Sequence, residues 1–267
     1  MFNLIIILLS TINSEPKDSN NYKIAKYLIE NIKSLDDCTL TELARKCYVS
    51  NSSISRFCRD IGLKDFNDLK KQVAIFPMQY KQLAEKFNFK EYDENSLSHS
   101  YILSIIDNLK HMIASSTLDN DIISLVNDIK NYKNVAAFGY MQSENVALNL
   151  QYDLQTSRKA IFTCIKFVDQ ANYIESADSD TLIIIFSESG SYFDRVFPRK
   201  KPFKNLHTKP KICMITSNYA IQYPYIDMYI RYSSRNDYAS HPYPLMVIAD
   251  LICIQYAKLV EKENYEQ

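Results

Sequence analysis

A short run of hydroxyl side chains follows the most apolar stretch of the sequence. Ser187, Glu188, Ser189, Gly190 and Ser191 come directly after DTLIIIF, and a helix is predicted to begin where this run ends. Free backbone N–H groups at a helix start, together with hydroxyl groups, are suited to an anionic oxygen group such as phosphate. The run is therefore a candidate phosphate-binding loop, although a capped turn between a strand and a helix has the same composition.

A second loop of the same kind follows an earlier apolar run, VAAFG. Gly139 ends that run, and Ser143 offers a further hydroxyl four residues later. Ligands of parallel α/β sheets bind beyond the carboxyl ends of the strands, so we expect both loops to face one ligand. The candidate ligand-binding residues are Gly139, Ser143, Ser187, Glu188, Ser189, Gly190 and Ser191.

A different chemistry is indicated nearer the N-terminus, where small polar and basic side chains alternate with apolar ones. The apolar spacing predicts a short helix from Leu40 and a second helix over about Asn51–Ile61, which Ser50 can cap. Two short helices joined by a three-residue turn form a helix-turn-helix unit, whose second helix enters the DNA major groove. A helical hairpin with a serine cap would show the same periodicity. The candidate DNA-binding residues are Ser50, Asn51, Ser52, Ser53, Ser55, Arg56, Arg59 and Lys64.

The segment LARKCYVSNSSISRFCRDIGLKDFNDLK resembles the N-terminal domain of the RpiR family of bacterial transcription regulators. The shared pattern is Leu-Ala, Val-Ser, Arg-Phe-Cys, Gly, Phe and Leu-Lys, all in register. The segment departs from the family at Tyr48 and Asp65, where a glycine is usual. A non-glycine residue in a left-handed turn costs on the order of 1 kcal/mol, so we expect a strained or reshaped turn at Tyr48.

The elements that must position these residues fall into two domains. Helices are predicted over Phe2 to Ile12, Asn21 to Lys33 and Asp65 to Ala74, around the two short ones. We expect a helix-turn-helix DNA-binding domain over 1–76, a helical linker over 77–100 and a ligand-binding domain over 101–267. The fold class is then an all-α head followed by an α/β doubly wound parallel sheet.

The α/β assignment rests on apolar runs that alternate with helices after Val135. The runs are VAAFG, AIFTCI, LIIIF, KICMIT and MYIRY, and a closing helix is predicted over about Pro244 to Val260. This part resembles a SIS domain, the sugar-isomerase fold, and the resemblance implies a phosphorylated sugar as ligand. It departs from that fold at Met141, where a glycine is common.

Composition limits the class of protein without deciding it. The 267 residues carry 31 basic and 31 acidic side chains, and residues 1–90 hold 14 basic against 10 acidic ones. A mildly basic front agrees with DNA binding by that part alone. Six cysteines without a C-x-x-C pair indicate buried thiols in a reducing cytoplasm, and we expect no metal site and no cofactor. The apolar start lacks the basic n-region and the cleavage site of a signal peptide, so we expect a buried helix.

Three functions are compatible with these patterns. The first is a cytoplasmic transcription regulator, not an enzyme, that binds double-stranded operator DNA and a phosphorylated sugar effector as a homodimer or homotetramer. The second is a phosphosugar isomerase, for which Glu188, Glu144 and His207 are candidate bases. The third is a DNA-binding regulator whose second domain serves only for dimerisation. The sequence defines neither the operator nor the sugar, nor whether the regulator represses or activates.

Overall fold

A computed structural model of the chain describes residues 4–32, 35, 38–84, 96–113, 117–197, 201–203, 205–235 and 241–266. The chain divides into two compact units. Met1–Lys86 with Ile165–Gln170 form the first unit, and Phe87–Cys164 with Ala171–Gln267 form the second. The predicted 77–100 linker lies in large part outside the described residues, and so do residues 236–240 before the closing helix.

The first unit is built from five helices along the described chain. Their bounds are α1 Leu4–Ser14, α2 Asn20–Asn31, α3 Leu40–Lys46, α4 Asn51–Asp60 and α5 Phe66–Ala84. Leu4 and Leu8 of α1 are fully buried with Leu43, Ile54 and Phe57, so the apolar N-terminal helix is part of this core as expected. Helix α5 extends well beyond its predicted end near residue 74.

Local hydrogen bonds explain where the two short helices begin and end. Thr39 and Glu42 form a reciprocal capping box at the start of α3, with Glu42 Oε2 accepting from Thr39 N at 2.8 Å. Such a box satisfies backbone N–H groups that have no partner within the helix. At the far end of α3, Val49 N donates to Ala44 O at 2.9 Å, and Tyr48 has a φ of +56°. The left-handed turn expected at Tyr48 is therefore present.

The start of α5 also follows its predicted capping pair. Asp68 N donates to Asp65 Oδ1 at 2.9 Å, and Lys64 N donates to Asp68 Oδ2 at 3.1 Å. These carboxylates lie near the positive end of the helix dipole, which favours them there. The two aspartates fix the chain direction after Gly62.

The rest of the chain supplies six helices and four strands among the described residues. The bounds are α6 Leu97–Met112, α7 Leu118–Asn131, β1 Asn134–Gly139, α8 Gln142–Thr156, α9 Phe167–Ser176, β2 Thr181–Phe186, α10 Tyr192–Val196, β3 Lys211–Thr216, β4 Met228–Arg231 and α11 Tyr243–Glu266. The strands pair in parallel in the order β1-β2-β3-β4. The predicted parallel α/β fold is confirmed.

Both faces of this sheet are buried, as continuous apolar strands require. All six residues of β2 are buried. On one face Ile184 and Ile215 pack with Leu150 of α8 and Ile252 of α11, and on the other Phe138 packs edge-on against Tyr173 of α9. The carboxyl ends of β1 and β2 lie side by side, with Gly139 opposite Phe186.

The prediction of a strand at AIFTCI is wrong in extent. Only Phe162 of this segment pairs, through one isolated parallel bridge to Ala136 on the free edge of β1. The Phe162 side chain is 42% exposed and stacks on Tyr173 at a centroid distance of 4.7 Å. An exposed edge offers hydrogen bonds on one side only, so the apolar run is held mainly by ring packing instead of a ladder.

One described helix is long and apolar enough to cross a membrane, over Tyr243–Lys262 within α11. Leu245, Ile248 and Ile252 of that helix are fully buried in the core of the second unit. Its apolar composition is therefore explained by packing beneath the sheet.

The cysteine thiols of the described residues are all free. Burial raises the pKa of the Cys47 thiol to about 11 and that of Cys58 to about 12, so both stay protonated and unreactive near neutral pH. Cys253, expected on a core face, is only partly buried.

Candidate functional site

Helix α4 presents a polar and cationic face outward. Ser50 caps it by accepting a hydrogen bond from Ser53 N at 3.1 Å, and Ile54, Phe57 and Cys58 are fully buried on the inner side. Asn51, Ser52, Arg56 and Arg59 are exposed or half-buried on the outer side, and Lys64 is exposed beyond the helix end. A helix held in this way leaves its first turn and one side free for a DNA groove.

The outward residues of α4 differ in how free their side chains are. Asn51 Nδ2 donates to Thr41 Oγ1 at 3.2 Å, and Ser53 Oγ accepts from Asn20 Nδ2 at 3.2 Å. Ser55 Oγ donates to the backbone of its own helix. Within the described chain the guanidinium groups of Arg56 and Arg59 enter no ion pair. The serines and Asn51 thus shape the helix start, and the arginines remain available to a partner.

Sequence reasoning missed three exposed residues beside this face. Arg45 and Lys46 lie in the last turn of α3, and Tyr48 in the turn after it is 92% exposed. The two cations carried a signal, because they fall on the polar side of the predicted helix. The exposure of Tyr48 carried none, because an aromatic residue in a turn is as often buried.

The loop after β2 has groups that can bind an anion. Ser189 Oγ and Ser191 Oγ are 2.7 Å apart on the exposed side of the loop. The backbone N–H groups of Ser189 and Ser191 have no acceptor within the described part of the chain. Ser187 is buried, and its Oγ accepts from Tyr192 N at 3.2 Å. Two hydroxyls and two amides therefore remain for a ligand.

The helix that follows this loop is shorter than the sequence suggested. Helix α10 has five residues, and its N-cap Ser191 makes no side-chain capping bond. A helix of little more than one turn has a small macrodipole, so the hydroxyls and free amides would contribute most of the attraction for an anion.

The loop after β1 approaches its own helix closely. A side chain at Gly139 would lie 2.3 Å from the backbone of Ser143, so only glycine allows this contact. Met141 has a φ of +62°, a left-handed conformation at the position where the resembling fold commonly has glycine. Ser143 is 3% exposed, and its hydroxyl has no hydrogen-bond partner among the described residues. A buried hydroxyl without a partner at the start of the 15-residue α8 can bind a polar ligand atom.

Glu188 is the most connected residue of the β2 loop. Its Oε1 accepts from Ser234 Oγ at 2.8 Å, and its Oε2 is hydrogen-bonded to His241 Nδ1. Its backbone carbonyl accepts from Thr216 Oγ1 at 2.8 Å and from Ser217 Oγ at 3.0 Å. Both carboxylate oxygens are thus used within the protein.

The same network reaches the first helix of the second unit. Asn108 of α6 is fully buried, and its Oδ1 accepts from Ser234 Oγ at 3.3 Å and from Arg235 N at 2.7 Å. Arg235 also forms an ion pair with Asp107 of α6 at 2.6 Å. The β2 loop and α6 therefore share hydrogen-bond partners in the segment that follows β4.

Arg195 is a cation beside both loops that the sequence did not single out. Its backbone N–H donates to Ser191 O at 3.2 Å, and its guanidinium lies 5.1 Å from the ring centre of Tyr140, the residue after Gly139. Burial raises the pKa of Tyr140, and the charge of Arg195 partly opposes this shift. In the described part of the chain Arg195 has no carboxylate partner. Its position four residues after Ser191 was the one available signal.

His207 lies apart from these groups. The residue is exposed, and its backbone N–H bonds Asn205 Oδ1 at 2.9 Å.

The comparisons with known proteins identify the first unit. The model of the helix-turn-helix domain of the rpiR family matches residues 7–76. A helix-turn-helix-type transcriptional regulator of Caldanaerobacter subterraneus subsp. tengcongensis is 49% identical over 53 residues, 20% of this chain and 19% of that protein. One of Providencia stuartii is 24% identical over 174 residues, 63% of this chain and 60% of that protein. The chain thus matches less than two thirds of the length of either relative.

A solved structure resembles the second part of the chain. Escherichia coli CFT073 c3406, in complex with a phosphosugar, is 14% identical, with a TM-score of 0.50, over 63% of this chain and 94% of that one. At this identity the likeness concerns the fold alone. Residues 7–76 of the chain therefore belong to the rpiR family of helix-turn-helix domains, and a parallel α/β sheet domain follows them.

Proposed function

We propose that the chain is a transcription regulator whose first domain binds operator DNA under the control of an effector bound to the second. The observation that carries the proposal is the outward, unpaired cationic face of α4 in an rpiR-family helix-turn-helix domain. We propose a DNA-binding domain over 1–76, a connection over 77–100 and an effector domain over 101–267. Buried thiols with raised pKa values support a reducing, cytoplasmic location.

Within the first domain we assign different roles to the cations. Arg56 lies in the middle of α4 and is suited to the edge of a guanine, while Arg59 and Lys64 are suited to phosphates. Ser50, Ser52, Ser53 and Ser55 are small, so the helix start can approach the bases closely. Two such domains in a homodimer or homotetramer would read a pseudo-palindrome with half-sites about one helical turn apart or a multiple of it.

For the second domain we propose a phosphorylated sugar as effector. The hydroxyls and free amides of Ser189 and Ser191, the hydroxyl of Ser143 and the charge of Arg195 together suit a phosphate dianion. The E. coli protein of similar fold was solved in complex with a phosphosugar, which makes that same phosphosugar the first compound to test. Genes of sugar metabolism are the corresponding regulatory targets.

Glu188 has a positioning role in this proposal. Because His241 and Ser234 already occupy its carboxylate, Glu188 holds the β2 loop instead of contacting the effector. The bonds from Ser234 and Arg235 to Asn108 provide a route by which a change in the loop reaches α6. An effector regulates only if it binds one arrangement of the DNA-binding domains better than another.

An isomerase is the second candidate function, and Glu144 is the observation that favours it. Burial raises the pKa of this carboxyl group, in the first turn of α8, to about 7. A carboxylate with a pKa near the working pH is a suitable general base for proton transfer. The exposed His207 has no such environment.

We expect Arg56→Ala to weaken binding to a duplex obtained by in vitro selection at least about tenfold, because one good base contact contributes roughly 1–3 kcal/mol. Fluorescence anisotropy at fixed salt measures the change. Lys133→Ala removes an exposed cation of the second unit and serves as the control, which should leave the affinity unchanged. An unchanged affinity for Arg56→Ala would remove this residue from the reading surface.

We expect Ser189→Ala to abolish the thermal stabilisation of the full chain by the phosphosugar of the E. coli complex or by another sugar phosphate, without changing DNA affinity. The loss follows because the Ser189 hydroxyl belongs to the proposed phosphate site. Ser176→Ala removes an exposed hydroxyl that bonds only the backbone of its own helix, and it should retain the stabilisation. If no sugar phosphate or amino-sugar phosphate raises the melting temperature of the wild type, the second domain only dimerises.

We expect Glu144→Gln to raise the melting temperature at pH 8 and to leave it unchanged at pH 4. The raised pKa means that the folded state disfavours the charged carboxylate, so the wild type loses stability as pH rises from about 4.5 to about 7. Differential scanning fluorimetry across that range measures the effect. An equal shift at both pH values would mean that ionisation of Glu144 is not its cause.

The same variant tests the isomerase. NMR of the phosphosugar incubated with the wild type detects turnover, which a regulator lacks. Conversion by the wild type and not by Glu144→Gln would favour the enzyme over the regulator.

A further inference from the structure

Two helices of the first unit end in the same kind of turn. After α3, Val49 N donates to Ala44 O at 2.9 Å and Tyr48 N to Arg45 O at 3.2 Å. After α4, Leu63 N donates to Cys58 O at 2.8 Å and Gly62 N to Arg59 O at 2.9 Å. This pair of bonds requires a left-handed residue just beyond the helix end, which is usually glycine.

The chain uses glycine at one of these turns and tyrosine at the other. Gly62 has a φ of +84°, and a side chain there would have open space within 4 Å, so the backbone conformation alone favours glycine. Tyr48 has a φ of +56°, which costs an L-residue with a side chain roughly 1–2 kcal/mol. The two turns therefore form an internal comparison with the same geometry and different side chains.

Packing does not offset the strain at Tyr48. Its side chain is 92% exposed, and its hydroxyl has no hydrogen-bond partner within the described chain. The tyrosine therefore contributes no burial energy to the protein alone. A strained residue without a structural benefit is typical of a binding surface.

The position of Tyr48 indicates which partner it meets. It lies two residues before Ser50, the cap of the helix that enters the groove, and directly after the α3 end that carries the exposed cations Arg45 and Lys46. These cations attract phosphates, and a phenolic O–H is a neutral donor that DNA-binding proteins use on phosphate oxygens.

We propose that Tyr48 is a DNA-contacting residue whose hydroxyl donates a hydrogen bond to a backbone phosphate beside the groove that α4 enters. This inference rests on the proposed function and extends it to a residue outside the helix itself. The contact fixes the position of α4 on the duplex and carries no sequence information. The strain in the turn is then a cost to stability that the complex offsets.

The experiment compares Tyr48→Phe and Tyr48→Gly in the full chain, with the selected duplex and a scrambled duplex of the same length as probes. Both variants should weaken binding about tenfold, and by the same factor on both duplexes, because a phosphate contact is independent of sequence. The slope of affinity against salt should not change, since tyrosine neutralises no phosphate charge. Tyr48→Gly should also raise the melting temperature by removing the strain.

Two controls separate this inference from the proposed function. Tyr152→Phe changes an exposed tyrosine of the second unit and should bind DNA like the wild type. Arg56→Ala should weaken binding to the selected duplex more than to the scrambled one. A wild type that does not prefer the selected duplex would overturn the proposed function. A weakened Arg56→Ala beside an unaffected Tyr48→Phe would overturn the role of Tyr48 alone.

Two further results would contradict the phosphate contact. A loss confined to the selected duplex would mean that Tyr48 contacts a base. A loss that accompanies dissociation of the oligomer, measured by size-exclusion chromatography with light scattering, would place Tyr48 between subunits. Loss on both duplexes with the oligomer intact and Tyr48→Gly more stable than the wild type supports the proposal.

Discussion

The left-handed turn between α3 and α4 is the constraint on which the first domain depends. The bond from Val49 N to Ala44 O ends α3 and turns the chain so that Ser50 can cap α4 within three residues. Ile54 and Phe57 then fall into the core, and the opposite side of the helix is left to solvent. The chain keeps this turn although Tyr48 strains it, so the orientation of α4 outweighs about 1 kcal/mol of local stability.

The second domain depends on a comparable constraint, the adjacency of two strand ends. Because Gly139 pairs opposite Phe186, the loops that follow β1 and β2 leave the sheet side by side. The close approach of Gly139 to Ser143 brings the start of α8 to this edge. Glu188 then ties the β2 loop to the segments after β3 and β4. The edge is thus braced by protein bonds, while the hydroxyls that face outward remain available.

Local signals made much of the fold predictable from the sequence. Ser50, the Asp65–Asp68 pair and apolar periodicity placed the helices of the first domain, and the departure from glycine at Tyr48 correctly indicated a left-handed turn. Continuous apolar runs placed the four strands. The run AIFTCI misled because an apolar strand pattern does not reveal whether a segment lies at a sheet edge.

The partners of the site residues could not be predicted, because they are distant in sequence. Ser234 and His241 lie 46 and 53 residues from Glu188, and no local pattern connects them. Arg195 was missed for a related reason, since its contact with Tyr140 depends on how α10 lies beside β1. Sequence therefore indicated which loops matter, and three-dimensional packing decided which of their side chains are free.

An effector bound beside Ser189 must change how the first domain binds DNA if the chain is a sensor. The most direct measurement is the affinity of the full chain for the selected duplex with and without the sugar phosphate that stabilises the chain most, at a saturating concentration. Regulation predicts a change of about fivefold or more, the usual scale of coupling between two sites. Equal affinities, with the sugar phosphate demonstrably bound, would contradict it.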